Sequence, residues 1–166
     1  MYETEVLTLL KKETAYLGNI DGNQPRVRPM KTYVDREGHI WLFSPFDTRK
    51  VVELKNNPRI ELCVVGENDE VLTLSGRVRD ETRPGSSLFR ATLEMMYAEM
   101  PEMKKSFPER DTTSLVLFRV VVHEVRYMRA NHQLTTRVNI PMEQNPDVEL
   151  ALCQGGFCLI EAENKQ

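Results

Sequence analysis

Two adjacent cations stand where the sequence predicts the start of a helix. Thr48 is a suitable N-cap residue, the helix extends from there to residue 57, and Arg49 and Lys50 fall in its first turn. Because that end of a helix carries partial positive charge, each cation there costs about 0.3–1 kcal/mol. A bound anion reverses this effect, since the free N–H groups and both side chains would converge on it. The pattern therefore indicates an anion site, with solvated surface cations as the alternative.

Two further arginines support the same hypothesis from an upstream strand. Arg26 and Arg28 are two residues apart in a segment with strand character, so their side chains project from one face. If this strand lies beside the helix, one or both arginines can reach the helix start. The chain has neither a G-x-G-x-x-G segment nor a Walker-type run, so no Gly-rich nucleotide loop supports the site.

Helical and strand-like segments along the chain indicate a barrel. Periodicity and turn signals predict helices over 5–12, 48–57 and 86–99, with a further turn or two at 102–107. Strands are predicted over 14–20, 26–35, 39–44, 59–65, 70–80 and 114–128, of which the first three form an antiparallel meander. The connections are too short for parallel crossovers. The expected fold is mainly β with α, an antiparallel split β-barrel with flanking helices.

Apolar residues assign a buried face to two of the predicted helices. In the helix at 48–57 this face consists of Val51, Val52 and Leu54. The helix at 86–99 places four apolar residues broadly on one side: Leu88, Leu93, Met96 and Met100. The methionines at 95, 96, 100 and 103 are expected to pack, since methionine fills irregular gaps between apolar side chains.

Length and composition describe one globular domain without a membrane or nucleic-acid role. The chain has 166 residues, of which 40% are hydrophobic and 28% charged, and its net charge of −3 gives no general attraction for nucleic acid or anionic membranes. No apolar run approaches the roughly 20 residues of a membrane span, and the N-terminus lacks a signal layout. Three cysteines are too few for a secreted disulfide framework, so a cytoplasmic protein is expected.

The three histidines, His39, His123 and His132, do not form a metal-ligand pattern. None has a partner at helical spacing or an adjacent carboxylate cluster, so each is expected to be structural, with zinc or haem ligation as the alternative. If that alternative holds, His132 is the residue to examine first. No metal site is therefore predicted.

The cysteines are expected to pack against neighbouring side chains and not to take part in redox chemistry. Cys63 lies in an apolar strand and is expected in the core. Near the C-terminus, residues 148–153 and 157–161 flank Gly155-Gly156 and predict a hairpin that places Cys153 opposite Cys158. That pair consists of two half-buried thiols, as a reducing compartment favours, or of a disulfide.

The spacing of the arginine and helix-start motifs resembles that of the pyridoxamine 5′-phosphate oxidase-like superfamily, the FMN-binding split barrels. Its members carry an Arg-rich strand, an aromatic–Ser/Thr pair on a later strand, and a Ser/Thr-Arg-Lys helix start that leads to Asn-Pro. The similar segments here are Arg28-Pro29-Met30, Trp41-Leu42-Phe43-Ser44, Thr48-Arg49-Lys50 and Asn57-Pro58-Arg59. The resemblance extends from Thr14 to Met128.

The resemblance implies a site for FMN between two subunits. Arg28 and Lys50 would bind the phosphate, with Thr48 and Arg49 beside them. Phe43 and Ser44 would lie along the isoalloxazine edge, largely through backbone groups, and Met30 near the ring. The resemblance also implies a homodimer with two FMN molecules in clefts between its subunits. The candidate cofactor residues are Arg26, Arg28, Pro29, Met30, Phe43, Ser44, Thr48, Arg49 and Lys50.

The C-terminal part departs from the oxidase after which the superfamily is named. Where that enzyme has an Arg- and Trp-bearing substrate motif, this chain has Gln154-Gly155-Gly156-Phe157-Cys158. The resemblance therefore favours the related flavin-binding proteins of the general-stress type. Two parts are predicted: an FMN-binding split barrel over residues 1–130, and a C-terminal extension over 131–166 with a hairpin packed on the same domain.

The expected function is that of an FMN-binding flavoprotein, an oxidoreductase that uses flavin at a dimer interface. The sequence identifies neither its small-molecule substrate nor its catalytic residues. One alternative is a non-catalytic module that binds or senses flavin. Another is the same barrel with haem or a deazaflavin as its ligand.

Overall fold

The computed structural model describes residues 5–83, 85–108, 114–129, 134–135 and 140–144. Within them, the helices are α1 (Glu5–Lys12), α2 (Arg49–Asn56), α3 (Ser87–Glu99) and α4 (Met103–Ser106). The strands are β1 (Ala15–Asp21), β2 (Gln24–Met30), β3 (Thr32–Val34), β4 (Ile40–Pro45), β5 (Arg59–Val65), β6 (Val71–Asp80), β7 (Leu115–Met128) and β8 (Leu134–Thr135). None of these helices is both long and apolar enough to cross a membrane.

The strands form one antiparallel sheet that curls into a split barrel. Its order is β2-β1-β5-β6-β7-β4-β3, and β8 pairs with β7. β2 and β3 lie at opposite edges of this order, yet only Lys31 separates them in the chain, so the two edges meet at that corner. The prediction of a mainly β fold, an antiparallel split barrel with flanking helices, is confirmed.

The predicted strand over 26–35 is in fact two strands, so the two antiparallel pairings of the predicted meander are confirmed but its continuous middle strand is wrong. β2 pairs with β1 while β3 pairs with β4, and the chain passes from one sheet edge to the other at Lys31. The residues on both sides of this corner have strand propensity, so the local sequence does not indicate a break. The break is imposed by closure of the barrel. The two tight turns are confirmed, with positive φ angles of 61° at Gly22 and 88° at Gly38.

Apolar side chains fill the barrel and a second layer outside it. The interior joins buried residues of α1, α2 and the strands, among them Leu42 and Leu62. Outside, α3 and α4 cover one face of β3, β4 and β7 with a cluster that includes Trp41 and Leu117. Because successive side chains of a strand point to opposite faces of the sheet, β4 and β7 contribute apolar side chains to both layers.

α3 buries its apolar face as predicted except at its start. Leu93 and Met96 are buried, whereas Leu88 is exposed and Phe89 is buried in its place. One residue corresponds to a rotation of roughly 100° around a helix, which explains the exchange. The predicted packing of the methionines is confirmed: Met96 and Met103 are buried in the outer cluster, and Met95 and Met100 pack against it.

Alternation along β5 also decides the position of Cys63. Leu62 and Val64 point into the barrel, so Cys63 lies on the outer face of the strand and is half-buried. The predicted core position of Cys63 is therefore wrong.

The described parts of the C-terminal extension lie against β7. β8 pairs with the end of β7, and Ile140 is buried with the barrel interior. The Glu143 N–H donates to the Val122 carbonyl oxygen at 2.9 Å, and the Glu143 carboxylate pairs with Arg79 and Arg119. The predicted hairpin at 148–153 and 157–161, with Cys153, Cys158 and His132, lies outside the described residues. The division between residues 130 and 131 stays a prediction.

Candidate cofactor site

Alternation along β1 and β2 gathers polar side chains at one end of the barrel. Ala15 and Leu17 fill the interior, and the next inward residue of β1 is Asn19, which is also buried. The register sets Asn19 opposite Arg26 and Leu17 opposite Arg28. The barrel therefore changes from apolar to polar at this end, where α2 packs against β1.

A buried carboxylate, that of Glu53 in α2, lies at the centre of this polar end. Its side chain is 3% exposed. Oε2 accepts hydrogen bonds from Arg28 Nη2 at 2.7 Å and from Asn19 Nδ2 at 2.8 Å. Oε1 lies 3.2 Å from Arg49 Nε, which gives an ion pair within the helix. Glu53 thereby connects β1, β2 and the first turn of α2.

A second carboxylate, that of Asp21, bridges two of the predicted cations. Its Oδ2 accepts hydrogen bonds from Arg49 Nη2 at 2.6 Å and from Arg26 Nη2 at 3.1 Å. The bond from Arg49, and then that from Arg26, hold the pKa of Asp21 below its ordinary value, and Asp21 raises the pKa of Arg49. Since Asp21 is the last residue of β1, these contacts tie the hairpin to the start of α2.

Lys50 differs from the three arginines because no carboxylate of the described residues pairs with it. Its Nζ donates to the sulfur of Met30 at 3.6 Å. Partial burial, and then the positive charge of Arg28, lower the pKa of Lys50. Four cations and two carboxylates thus meet here, and we name them the basic cluster: Asp21, Arg26, Arg28, Arg49, Lys50 and Glu53.

Thr48 occupies the N-cap position of α2, as predicted, but its side chain does not cap the helix. Its hydroxyl donates to the Pro45 carbonyl oxygen at 3.0 Å and lies 2.9 Å from Ser44 Oγ. Ser86 at the start of α3 shows the usual arrangement, in which Oγ accepts from the Phe89 N–H at 3.3 Å. The Val51 N–H donates to the Thr48 carbonyl oxygen at 3.1 Å, but the Thr48 side chain accepts from none of the first-turn N–H groups.

The remaining candidate residues are divided between the two faces of the sheet. Met30 points into the barrel, and Ser44 is buried beside Thr48. Phe43 points to the opposite face, where its ring packs edge-on against that of Phe107 with centroids 6.3 Å apart. Pro29 is exposed on the outer face of β2. Phe43 and Pro29 can therefore face a ligand at the basic cluster only through their backbone groups.

Two residues of the basic cluster, Asp21 and Glu53, are not marked by the sequence motifs. Val52, predicted on the apolar face of α2, is 58% exposed because it lies roughly 100° around the helix from the buried Val51. The next residue, Glu53, is buried instead. Its position four residues after Arg49 is a signal for an ion pair, whereas Asp21 is part of a turn signal that does not indicate a contact with α2.

The two described histidines take part in local contacts. His39 Nδ1 lies 3.3 Å from Asp35 Oδ2, which also accepts from Trp41 Nε1 at 2.9 Å. His123 Nδ1 lies 3.3 Å from the Glu143 carbonyl oxygen. Among the residues that the structure describes, no three His, Cys, Asp or Glu side chains are close enough to hold a metal ion.

Comparison with known proteins shows the family to which the chain belongs. The family model for pyridoxamine 5′-phosphate oxidase matches residues 3–129. The chain belongs to this family. The matched residues include all of β1, β2 and α2, so every member of the basic cluster lies within the match. None of the curated proteins matches the sequence.

Solved structures with a similar fold differ in the ligands that their names state. A FAD-binding protein from Mesorhizobium loti is 19% identical, with a TM-score of 0.56 over 75% of this chain and 94% of that chain. General Stress Protein 26 from Bacillus anthracis is 14% identical, with a TM-score of 0.59 over 77% and 92%. A heme-binding protein from Mycobacterium smegmatis is 13% identical, with a TM-score of 0.64 over 83% and 60%. At these identities the likeness shows the fold alone.

Proposed function

We propose that the protein binds FMN and that the basic cluster holds the FMN phosphate. The observation that carries this proposal is Lys50, a partly buried cation beside Met30 and Arg28 that has no carboxylate partner among the described residues. Burying an uncompensated cation is unfavourable, and a bound phosphate removes that cost. The N–H groups of Arg49 and Lys50 at the start of α2, to which the Thr48 side chain makes no capping bond, support the same ligand.

The charges of the basic cluster fit a phosphate monoester. Such a group carries about 1.5–2 negative charges near neutral pH, and the cluster has two more cations than carboxylates. In this proposal Arg28 and Lys50 bind the phosphate, with Thr48 and Arg49 beside them and Arg26 at the rim. Arginine adds geometric selectivity, because its planar donors match the oxygens of a phosphate.

The flavin ring of the proposed complex lies along β4 and the inner end of β2. Phe43, Ser44 and Pro29 contribute mainly backbone groups there, and Met30 lies near the ring. Bound FMN supplies hydride and electron transfer, and the protein's part is to bind the cofactor, orient it and exclude water. The proposal extends to an oxidoreductase that acts in the cytoplasm on a small molecule, with no side chain assigned as general acid or base.

A homodimer is part of the proposal, and the outer face of β1 and β2 supports it. Tyr16, Ile20 and Val27 are exposed there on neighbouring strands. An exposed apolar sheet face fits a second copy of the chain, which covers it across a twofold axis. Sedimentation velocity tests this part: a dimer is expected, and a monomer at all concentrations contradicts it.

Absorption spectroscopy tests the cofactor. The protein is incubated with excess FMN and passed through gel filtration, and the bands of oxidised flavin are expected to elute with it. Protein that remains colourless contradicts the proposal, and a haem or deazaflavin spectrum in the protein as purified replaces FMN with that ligand. Anaerobic reduction by NADH or NADPH then separates an oxidoreductase from a non-catalytic flavin-binding module.

A further inference from the structure

Glu53 is a buried charge for which the proposed FMN contacts give no direct role. Its carboxylate is 3% exposed, so it lies beneath the cations of the basic cluster and not at their surface. Burying a carboxylate is costly unless it is paired and hydrogen-bonded. Its Oε2 accepts from Arg28 and Asn19, and Oε1 faces Arg49. These partners identify Arg28 as the residue that Glu53 controls most directly, because Arg49 has a second partner in Asp21.

We propose that Glu53 is a positioning residue that orients Arg28 toward the phosphate without contacting the ligand; this inference rests on the proposed function. Arginine has a long side chain with many rotamers. The hydrogen bond from Nη2 to Glu53 fixes one end of the guanidinium, and its other N–H donors, which bond to no side chain in the described part of the chain, are left for an anion. Asn19 fixes the Glu53 carboxylate in turn from β1.

Electrostatic repulsion and positioning make opposite predictions for the removal of this carboxylate. A negative charge near a phosphate repels it, so repulsion alone predicts tighter FMN binding when Glu53 is neutralised. Positioning predicts weaker binding, because a mobile Arg28 loses the geometry of its charge-assisted hydrogen bonds. The direction of the change therefore separates the two roles.

Glu53→Gln tests the inference with FMN and riboflavin as probes, because riboflavin lacks the phosphate. We expect FMN affinity to fall about tenfold, as for one charge-assisted hydrogen bond, while riboflavin affinity stays the same. Equal losses for both flavins indicate a general structural role and contradict the inference, as does unchanged or tighter FMN binding. Glu61→Gln is the matched control, because Glu61 pairs with Arg126 at 2.7 Å away from the basic cluster; neither affinity is expected to change.

Repeating the substitution in an Arg28→Gln background shows whether Glu53 acts through Arg28. The double variant leaves no unpaired Arg28–Glu53 charge, so it is expected to fold even if Glu53→Gln alone does not. We expect Glu53→Gln to leave FMN affinity unchanged in this background, and a further loss there contradicts the inference. Wild-type protein that binds no FMN contradicts the proposed function, whereas wild-type binding that Glu53→Gln does not alter contradicts only the role of Glu53.

Discussion

The Lys50 ammonium lies 3.6 Å from the sulfur of Met30 and faces the charge of Arg28, which contributes to the lowering of its pKa. Arg26, Arg28 and Arg49 each have a carboxylate partner. One of the two excess positive charges of the basic cluster therefore lies at Lys50, and the other is shared by the three arginines, which pair with only two carboxylates. A ligand that brings negative charge to this point and binds only the folded state stabilises the protein, by an amount that grows with the ligand concentration relative to Kd.

Lys50→Ala is expected to weaken FMN binding by about 1.5–3 kcal/mol through loss of a charge-assisted contact. Lys55→Ala is the matched control, because Lys55 is in the same helix and pairs with Asp80 at 3.2 Å instead. The control is expected to leave FMN affinity unchanged. Titration calorimetry measures both variants, and an unchanged affinity in Lys50→Ala contradicts the assigned contact.

Asp21→Asn is expected to strengthen FMN binding, because Asp21 holds two of the cations that a phosphate would approach. Its Oδ2 accepts from both Arg26 and Arg49. Removing one partly exposed competing charge should raise FMN affinity about threefold at low salt, and added salt should reduce the difference. Fluorescence titration at two ionic strengths measures the effect. Weaker binding in this variant would show that Asp21 is needed to hold the arginines in place.

Acid is expected to destabilise the FMN-free protein through Asp21. Hydrogen bonds from Arg49 and Arg26 lower the pKa of Asp21 in the folded state. Its contribution to stability is therefore complete above the unfolded-state pKa of about 3.9 and is lost as the pH falls through the lower folded-state pKa. Urea unfolding below that pH should show a steeper loss for wild type than for Asp21→Asn. Parallel pH profiles would argue against the bridging contact.

Ser86→Ala is expected to destabilise the FMN-free protein by about 1 kcal/mol, because Ser86 Oγ accepts from the Phe89 N–H at the start of α3. Urea unfolding measures the difference in the free energy of unfolding between this variant and wild type. An unchanged free energy of unfolding would mean that Ser86 does not cap α3 in solution.

Gly76→Ala is expected to destabilise the barrel by about 2 kcal/mol or more. Gly76 lies at the irregularity where β6 pairs with β7, and a Cβ there would meet the carbonyl oxygen of Val121. The Val121 backbone cannot move away from this Cβ without a shift of β7. Gly18→Ala is the comparison, because its Cβ would lie 3.5 Å from the Glu61 carbonyl oxygen, an ordinary contact. Thermal unfolding should show the larger loss for Gly76→Ala, and similar melting temperatures would contradict the close approach.

Local patterns predict single elements well and closure of the barrel poorly. The strand from Arg59 to Val65 has the same bounds in prediction and structure, because alternation is a property of neighbouring residues. The corner at Lys31 depends on which sheet edges meet, and that is decided by pairing along the whole barrel. Residues with strand propensity lie on both sides of the corner, so a local pattern does not predict it.

The candidate site also has one part that local patterns indicate and one part that they do not. The helix-start pattern and strand alternation indicate its four cations: Arg26, Arg28, Arg49 and Lys50. The carboxylates that pair with three of them are set by tertiary contacts. Arg49 and Asp21, for example, are 28 residues apart in the sequence and meet only when α2 packs against β1.

The most direct test of the proposed phosphate site compares wild-type affinity for FMN and riboflavin in one buffer by titration calorimetry. The two ligands differ only in the phosphate that the basic cluster is proposed to hold. We expect FMN to bind at least about 100-fold more tightly than riboflavin, the equivalent of two charge-assisted contacts, and inorganic phosphate to compete with it. Equal affinities for the two flavins, unaffected by phosphate, would contradict the proposed site.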